Sequence, residues 1–460
     1  MRKPPSSRDV SAWTPDHPVD YADPMGKSGK EKLEEHEKDR DENWFDEVKS
    51  QPRLKIDRVN PHLTVCALED ILSESNCIYE SNGLVEIVED QLTGRKVTKA
   101  IDVNRIILLA HQQSRPYVVN YAGEGSYSEK NATVPKAIAS MMLSSYTGGK
   151  FPHLKAIIST PLLSESGSIS CGNGYDPDTC FYLDHIPEMD ASLPARPTLN
   201  DAQLALNTIR KAINTFPFAD ADTLPDAKGI DFVDQRTPPK LDESSCITAL
   251  MTAVVRPSLS LSPAILITAA ETSGAGTGKG KLARCMFAIA YGHQPSAITA
   301  GPNSEELEKR LAANLISGCS CVLIDNANSL LLKSDLLASV ITENPSQIRL
   351  LGQTRLVNTS TSCLIVITGN GLRVTEDLAR RFMEVRLDAG MEDPETRPFA
   401  GDIVAEIAAS REKLLAACLT IFRFGRQNNL PGGRPLGGFE QWCRWVRDPL
   451  LALVTRFGNS

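Results

Sequence analysis

A glycine-rich turn between a buried strand and a helix constrains this sequence more than any other segment. Residues 264–268 form a short apolar run, which predicts a buried strand. Glycines follow this run, and a helical pattern begins at Lys279. Such a turn can direct its backbone N–H groups inward, and the N-terminus of the next helix adds a partial positive charge. The order of strand, turn and helix therefore favours an anion site, with a flexible loop as the alternative.

The turn approximates the phosphate-binding pattern G-x-x-x-x-G-K-[ST], whose lysine reaches the β and γ phosphates of a nucleotide. The residues expected to form the loop are Ser273, Gly274, Ala275, Gly276, Thr277, Gly278, Lys279 and Gly280. Two of them depart from the pattern, because Ser273 replaces the first glycine and Gly280 replaces the hydroxyl residue that holds Mg²⁺. The loop predicts ATP and Mg²⁺ as ligands. Water or a nearby hydroxyl such as Thr277 must then fill the coordination position.

Two further apolar strands end in polar residues. Cys321–Asp325 has the Walker B pattern, and we expect Asp325 to hold Mg²⁺ through water. Asn326 follows, and its amide cannot take a proton. Residues 364–368 lead into Asn370, which we expect to touch the γ phosphate or the attacking water. A simple Gly-Asn-Gly turn is the alternative at that position.

These features resemble the AAA+ ATPases, and so does the run Leu378-Ala379-Arg380-Arg381-Phe382 that follows them. More specifically they are similar to superfamily 3 helicases and to the helicase part of primase-helicases from phages and integrative elements. The resemblance covers roughly residues 248–453. It implies that Lys279, Asp325 and Asn370 take the Walker A, Walker B and sensor roles.

The resemblance also implies an assembly. Arg381 matches the arginine finger that is offered to a neighbouring subunit, and Arg380 is the second choice. We therefore expect self-association into a ring, with a hexamer as the expected size. An ordinary solvated helix end is the alternative for this arginine pair. Asn326 stands where many AAA+ enzymes carry a glutamate that polarises the attacking water.

Residues 347–358 form two alternating runs around Gly352, which predicts a β-hairpin. In superfamily 3 helicases a hairpin at this place projects into the ring channel and grips single-stranded DNA. The resemblance implies that Arg349 and Arg355 contact phosphates without sequence preference. A hairpin that merely extends the sheet is the alternative, and the choice between DNA and RNA stays open.

The predicted fold class is α/β, with a P-loop NTPase domain of the AAA+ kind. A small mixed α/β domain precedes it, and a helical C-terminal region follows it. One helix is expected in the connector, with Leu206, Ile209 and Ile213 on one face. The predicted segments are a charged tail, disordered or a single helix (1–62), the small domain (63–190), a Pro- and Asp-rich connector (191–245), the ATPase domain (246–388) and the helical region (389–460).

Composition limits the classes of function. The net charge of −8 requires any DNA contact to be local. The apolar runs are too short to span a membrane, and the polar N-terminus lacks a secretory core, so a cytoplasmic protein is expected. Eleven scattered cysteines predict free thiols, buried at Cys285, Cys321, Cys363 and Cys418. The spacing of Cys319 and Cys321 predicts no zinc site.

Two other patterns have competing interpretations. The pairs Asp176/Asp178 and Asp220/Asp222 resemble metal ligands, but aspartates among turn residues commonly bond to the local backbone. Residues 439–447 interleave aromatic and basic side chains. They predict either a stacking platform or, as the more common case, a helix that buries Phe439, Trp442 and Val446.

The sequence favours an ATP-dependent, helicase-like motor for replication of a phage or mobile element. No polymerase module is found in the sequence, so a separate primase or polymerase is an expected partner. The main alternative is a nucleotide-binding, DNA-associated scaffold without turnover, which Gly280 and Asn326 favour. Asn370 and the arginine pair favour the enzyme. A small-molecule P-loop kinase is disfavoured because such kinases lack this order of hairpin and sensor.

Overall fold

The computed structural model describes eleven stretches of the chain: residues 51–121, 126–146, 148–189, 193–270, 275–295, 297–299, 304–328, 331–349, 356–359, 362–398 and 401–455. Contacts divide the described chain into two compact units. One contains residues 51–75 and 102–145, and the other contains residues 76–101 and 146 onward. The first fifty residues of the predicted tail lie outside the described part. The boundaries of the five predicted segments stay a prediction.

The elements of the N-terminal half alternate between short strands and helices. In chain order they are β1 (Arg53–Lys55), α1 (Pro61–Ser73), β2 (Ile78–Glu80), β3 (Leu84–Asp90), β4 (Arg95–Ala100), α2 (Val103–Gln113), β5 (Arg115–Tyr121), β6 (Tyr127–Asn131), α3 (Lys136–Ser145), β7 (Ala156–Ile158), β8 (Leu162–Leu163), β9 (Ile169–Ser170), β10 (Gly174–Asp176) and β11 (Phe181–Leu183).

The C-terminal half has longer helices. Its elements are α4 (Leu199–Ile213), β12 (Thr223–Pro225), β13 (Asp231–Val233), α5 (Leu241–Val255), β14 (Ala264–Ala269), α6 (Lys279–Tyr291), β15 (Ala297–Thr299), α7 (Ser304–Ile316), β16 (Cys321–Asp325), β17 (Leu331–Leu332), α8 (Asp335–Thr342), β18 (Ser346–Arg349), β19 (Leu356–Thr359), β20 (Leu364–Asn370), β21 (Arg373–Val374), α9 (Glu376–Ala379), β22 (Phe382–Leu387), α10 (Ile403–Ala409), α11 (Arg411–Gln427), α12 (Glu440–Trp442) and α13 (Asp448–Val454). A π-helix at Cys443–Arg447 joins α12 to α13.

The first unit is a three-stranded sheet with helices. β5 is the central strand, β1 runs parallel to it and β6 runs antiparallel to it. Side chains alternate between the two faces of a strand. Leu54 and Pro116, which are partners in the β1–β5 register, are both buried, as are Leu68 and Ile106 of the helices. One face of this sheet is therefore a core face.

The second unit is built on a five-stranded parallel sheet in the order β15-β16-β20-β14-β22. The predicted mostly parallel α/β sheet is confirmed, and β14, β16 and β20 coincide with the three predicted strands. Every residue of β14 is buried, as expected for a parallel strand covered on both faces. Because all five strands are parallel, their carboxyl ends meet at one edge.

The connector helix packs through its predicted face. Leu206, Ile209 and Ile213 of α4 are buried. Between them Arg210 is also buried, and its Nε and Nη2 donate to the two carboxylate oxygens of Glu243 on α5, at 2.7 and 3.1 Å. Removal of either partner would leave a buried charge uncompensated. The ion pair joins α4 to α5, and it thereby holds the chain that follows α4 beside the sheet.

The C-terminal region is helical, as predicted. Ser410 interrupts its helical stretch and separates α10 from α11. Phe439, Trp442 and Val446 are buried, which confirms the core interpretation, and Trp442 Nε1 donates to Thr252 Oγ1 at 2.8 Å.

The aspartate pairs follow the local interpretation only in part. Asp176 accepts from Asp178 N and Thr179 Oγ1, as expected for local bonding. Asp220 instead accepts from the first N–H groups of α5, which are distant in sequence, and Asp222 pairs with Lys240. The four cysteines predicted to be buried are buried, and their thiols are free. Among the described helices, none has the length and apolarity needed to cross a membrane.

Candidate functional site

The phosphate-loop glycines adopt the backbone that the motif requires. Gly276 and Gly278 have φ angles of 75° and 100°, in the left-handed region that favours glycine. A Cβ at Gly276 would lie 2.8 Å from the backbone N of Glu395, so no side chain fits there. Helix α6 begins at Lys279, as predicted, and the first N–H groups of a helix lack intrahelical partners. Ser273 and Gly274 lie outside the described residues.

Lys279 is held inside the loop with 8% of its surface exposed. Its Nζ donates to Thr277 Oγ1 at 3.2 Å. Burial lowers the pKa of Lys279, and the negative charge of Asp325 partly opposes that shift. The charge of the strand aspartate therefore acts on the loop lysine.

Asp325 ends β16 beside the start of α6. Both of its carboxylate oxygens lie 3.8 Å from the position that a Cβ of Gly280 would occupy. Thr368 Oγ1 donates to Asp325 Oδ1 at 2.5 Å, and the backbone N–H of Asn326 donates to the same oxygen at 3.1 Å. These two donors fix the carboxylate. Thr368 is a site residue that the sequence analysis missed, although it lies in the predicted sensor strand.

Asn326 has a left-handed backbone, with φ of 59°. Asparagine adopts this conformation more readily than most residues. Its N–H also donates to Thr368 Oγ1 at 3.2 Å, which links β16 to β20. Gly369 allows this close approach, because a Cβ there would lie 2.6 Å from the carbonyl oxygen of Ala327. The left-handed backbone at this position therefore accounts for an asparagine where many AAA+ enzymes carry glutamate.

Asn370 ends β20 on the same edge of the sheet. Its N–H donates to Asn328 Oδ1 at 2.8 Å. Its side-chain Oδ1 is buried and has no hydrogen-bond partner among the described residues. A buried polar oxygen without a partner is costly, so its retention is consistent with a ligand or water that binds there.

A cleft of about 1410 Å³ opens at this edge. The phosphate loop from Ala275 onward, Asp325, Asn326 and Asn370 contribute polar lining. The rest of the lining is apolar in part, and comes from the connector and the C-terminal region. Its apolar lining includes Phe216, Phe218, Ile230, Phe232, Ile403 and Leu414. The cleft offers polar groups for phosphates and an apolar wall for a ring system.

Arg397 is a second cation at the loop, which the sequence analysis did not find. Its Nη2 donates to the carbonyl oxygen of Thr277 at 3.4 Å and lies 3.6 Å from the position of a Cβ at Gly278. Burial lowers the pKa of Arg397, and Asp231 partly offsets the shift. A guanidinium remains protonated at neutral pH. Arg397 follows a short 3₁₀ turn and belongs to no periodic pattern, so the sequence carried no signal for it.

The arginine pair lies away from this cleft. The Ala264 N–H donates to the Arg381 carbonyl oxygen, which puts Arg381 at the amino edge of the sheet, opposite the phosphate loop. Arg381 Nη1 donates to the Ala338 carbonyl oxygen at 2.6 Å, and Nη2 pairs with Asp377 at 3.0 Å. Arg380 is 74% exposed and also pairs with Asp377. The structure does not bring either arginine to the cleft of its own chain.

The predicted hairpin is confirmed. β18 and β19 pair antiparallel, with Arg349 opposite Leu356. Ile348 and Val357 are buried, whereas Arg349 and Leu356 lie on the exposed face. The two strands form a sheet of their own, so the alternative that they extend the central sheet is wrong. Arg355 and the turn lie outside the described residues.

Comparison with known proteins gives distant structural similarities. No protein-family model matches the sequence, and no curated protein matches it. The fold is similar to that of the apo C-terminal region of NrS-1, with 13% identity, a TM-score of 0.31 and coverage of 72% of this chain. The similarity to the JCV helicase has 11% identity, a TM-score of 0.22 and coverage of 57% of this chain. The similarity to the active helicase Cch of SCCmec type IV has 11% identity, a TM-score of 0.23 and coverage of 74% of this chain. The chain spans 65%, 68% and 62% of those three chains, respectively.

Proposed function

We propose that the chain binds ATP with Mg²⁺ in the cleft and hydrolyses it as a helicase-like motor on single-stranded DNA. The observation that carries this proposal is the position of Asp325, which lies beside Gly280 of the loop at the carboxyl edge of a parallel sheet. Ligands of open parallel α/β sheets bind beyond the carboxyl ends of the strands.

Each polar group of the cleft has a role in this proposal. The N–H groups of the loop from Ala275 to Gly280 and the ammonium of Lys279 hold the phosphates, and Arg397 supplies a second charge. The unpaired oxygen of Asn370 orients the attacking water. Asp325 holds Mg²⁺ through water, and that ion, when bound, neutralises charge on the phosphates.

The hydrogen bonds of the nearby hydroxyls bear on the remaining metal ligand. Thr277 Oγ1 is buried and accepts from Lys279, and Thr368 Oγ1 donates to Asp325. Both hydroxyls are thus engaged within the protein. Gly280 presents no side chain beside the carboxylate, and the space there admits a further group at van der Waals distance. We infer that water takes the position of the missing hydroxyl.

The coupling of hydrolysis to DNA rests on the hairpin and on the arginine pair. The exposed face of β18 and β19 carries Arg349, and we propose that it contacts phosphates together with Arg355. Arg381 lies at the edge opposite the cleft of its own chain, and we propose it, with Arg380 as second choice, as a finger for a neighbouring subunit. A hexameric ring that serves replication of a phage or mobile element, with a separate primase or polymerase, is consistent with these positions.

A nucleotide-binding scaffold without turnover is the second candidate. Asn326 favours it, because an amide cannot accept the proton of the attacking water. The deciding experiment measures phosphate release from ATP by the wild-type chain, with and without single-stranded DNA. The motor predicts release that DNA stimulates and that Asp325→Asn abolishes. Nucleotide binding without release, in either condition, would establish the scaffold instead.

A further inference from the structure

The three-stranded sheet of the first unit has a second face, opposite its core face. In the β1–β5 register, Leu54 and Pro116 point to the core, so their neighbours along each strand point outward. The β5–β6 register extends this outer face across the third strand. The residues of the face are Arg53, Lys55, Arg115, Tyr117, Val119, Tyr121, Tyr127, Glu129 and Asn131.

Three of these side chains are tyrosines. Tyr121 and Tyr127 are direct cross-strand partners, and they are 76% and 65% exposed. Tyr117 lies on the same face of the same strand as Tyr121, and the Arg53 guanidinium is 4.0 Å from the centre of its ring. A single exposed aromatic side chain is ordinary on a protein surface. Three on one sheet face form a surface on which flat rings can stack.

The charges of the outer face are mostly positive. Arg53, Lys55 and Arg115 are cations, and Glu129 is the carboxylate of this face. Arg53 Nη2 pairs with Glu129 at 2.5 Å, so the negative charge is already matched. The whole chain carries a net charge of −8, which makes this cationic face a local exception. A polyanion is attracted to such a surface.

We propose that the outer face of this sheet binds single-stranded nucleic acid. Unpaired bases stack on Tyr121 and Tyr127, and the backbone phosphates lie near Lys55 and Arg115, since the charge of Arg53 is matched by Glu129. Sheet faces that bear aromatic side chains bind single strands in this way, because every base has a π face and stacking tolerates any sequence. Duplex DNA keeps its bases stacked inside the helix and cannot use the tyrosines.

This site is separate from the proposed hairpin contacts, and it requires no nucleotide. It therefore goes beyond the proposed motor function, and the two are tested apart. Binding is measured without ATP on full-length chains that all carry Arg349→Ala, which weakens the hairpin contribution. The probe is a fluorescent oligothymidylate of roughly 20 nucleotides, longer than the roughly 4 to 16 nucleotides that one OB fold, another aromatic single-strand-binding domain, occupies. The readout is fluorescence anisotropy.

Two double variants and one single variant decide the outcome. Tyr121→Ala with Tyr127→Ala should weaken binding about tenfold or more, because stacking on both rings is lost. Tyr121→Phe with Tyr127→Phe should bind within about twofold of the parent, because phenyl rings still stack. Leu108→Ala removes an exposed apolar side chain from α2 of the same unit, and it should leave binding unchanged. Thermal unfolding checks that all variants stay folded.

Several results would overturn the proposal. The parent chain could fail to bind the oligonucleotide, or the alanine pair could bind as well as the parent. Equal losses in the alanine and phenylalanine pairs would show that the hydroxyls matter, not stacking. A reduced particle mass of the alanine pair with unchanged oligonucleotide affinity would identify the face as a self-association surface. ATP hydrolysis, measured separately, reports on the motor and not on this face.

Discussion

The carboxylate of Asp325 lies directly beside the backbone of Gly280. A Cβ at that glycine would lie 3.8 Å from each carboxylate oxygen, which is ordinary van der Waals contact. The P-loop pattern has serine or threonine here, and its hydroxyl binds Mg²⁺ next to the Walker B aspartate. The cleft therefore retains the space for a hydroxyl that the sequence does not supply.

Gly280→Ser should accordingly strengthen metal binding. The new hydroxyl can reach an ion that Asp325 holds, and a hydrogen bond or ligand bond to a charged group contributes about 1.5 kcal/mol, or about tenfold in affinity. We expect the Mg²⁺ concentration that gives half-maximal binding of a fluorescent ATP analogue to fall to about one tenth of the wild-type value. Manganese affinity measured by electron paramagnetic resonance should shift in the same direction.

Gly280→Ala is the matched control. It adds the same Cβ and should stabilise α6 by up to about 1 kcal/mol, because alanine favours a helix over glycine. It brings no hydroxyl, so the metal dependence should stay at the wild-type level. Equal metal affinities for the serine and alanine variants would refute a metal position beside Gly280.

Lys279→Ala should remove nucleotide binding. The buried ammonium is desolvated, which lowers its pKa, so its removal should not destabilise the unliganded chain. We expect an unchanged unfolding temperature without ligand and no increase when ATP is added, whereas the wild type gains stability through ligand binding. Arg284→Ala also removes a cation from the same helix, at a residue that does not line the cleft, and it should keep the ligand-induced increase. An ATP-induced increase in Lys279→Ala would contradict the phosphate-loop assignment.

Arg397→Ala should weaken ATP binding about tenfold, because a hydrogen bond from a charged group to phosphate contributes about 1.5 kcal/mol or more. AMP has no β or γ phosphate, so the affinity for AMP should change much less. Arg397→Lys keeps the charge but not the planar fork and should fall between wild type and alanine. Calorimetric titration of ATP and AMP separates these cases. A uniform decrease for both ligands would indicate that Arg397 only supports the loop.

The site strands were predictable because short-range rules determine them. A parallel strand buried on both faces is largely apolar, and β14, β16 and β20 satisfy that rule up to their polar carboxyl ends. The carboxyl ends of such strands share an edge, so Lys279 and Asp325 meet there. The hairpin was predictable from its alternation of buried and exposed residues.

The other wall of the cleft was not predictable, because it depends on long-range packing. Arg397 reaches the loop residue Thr277 only because a 3₁₀ turn brings Glu395 against Gly276. No periodic pattern records such a contact. The outer sheet face of the first unit was missed for a related reason. Its strands are separated in sequence by two helices and by strands of the other unit, so the register that gathers Arg53 beside Tyr117 is visible only in the fold.

The hairpin arginines should contribute through counterion release. In Arg349→Ala with Arg355→Ala, affinity for single-stranded DNA should fall. The slope of log affinity against log salt should become shallower by about 0.7 for each phosphate that the protein no longer neutralises. Leu356→Ala removes the apolar cross-strand neighbour of Arg349 without changing charge, and it should keep the slope. An unaltered affinity and salt slope in the arginine pair would make the hairpin purely structural.

The last prediction concerns assembly. Arg381 lies at the sheet edge opposite its own phosphate loop, so any role in catalysis must be played in a neighbouring subunit. An arginine finger contributes roughly 10³ to 10⁵ in rate. Arg381→Ala should therefore bind ATP normally and hydrolyse it poorly. Arg380→Ala is the second variant, because Arg380 is far more exposed and shares Asp377 with Arg381.

Removal of the Arg381 side chain also has a structural cost. Its Nη1 donates to the carbonyl oxygen of Ala338, and deletion of such a bond costs about 1 to 3 kcal/mol. Lower stability alone would reduce activity in proportion to the folded fraction. Thermal unfolding of Arg381→Ala, together with its ATP affinity, measures that contribution. A decrease in rate larger than the decrease in folded protein is then attributable to the finger.

Mixing two inactive chains tests the ring directly. Lys279→Ala lacks a working loop but keeps Arg381, whereas Arg381→Ala lacks the finger but keeps its loop. A mixed ring contains interfaces at which an intact loop faces an intact finger, so ATP hydrolysis should partly return on mixing, provided that neighbouring subunits need not act in strict sequence. The same mixture with Asp325→Asn in the Arg381→Ala chain should stay inactive, because no interface is then complete. Full activity of Arg381→Ala as a monomer would exclude both the trans-acting finger and the ring.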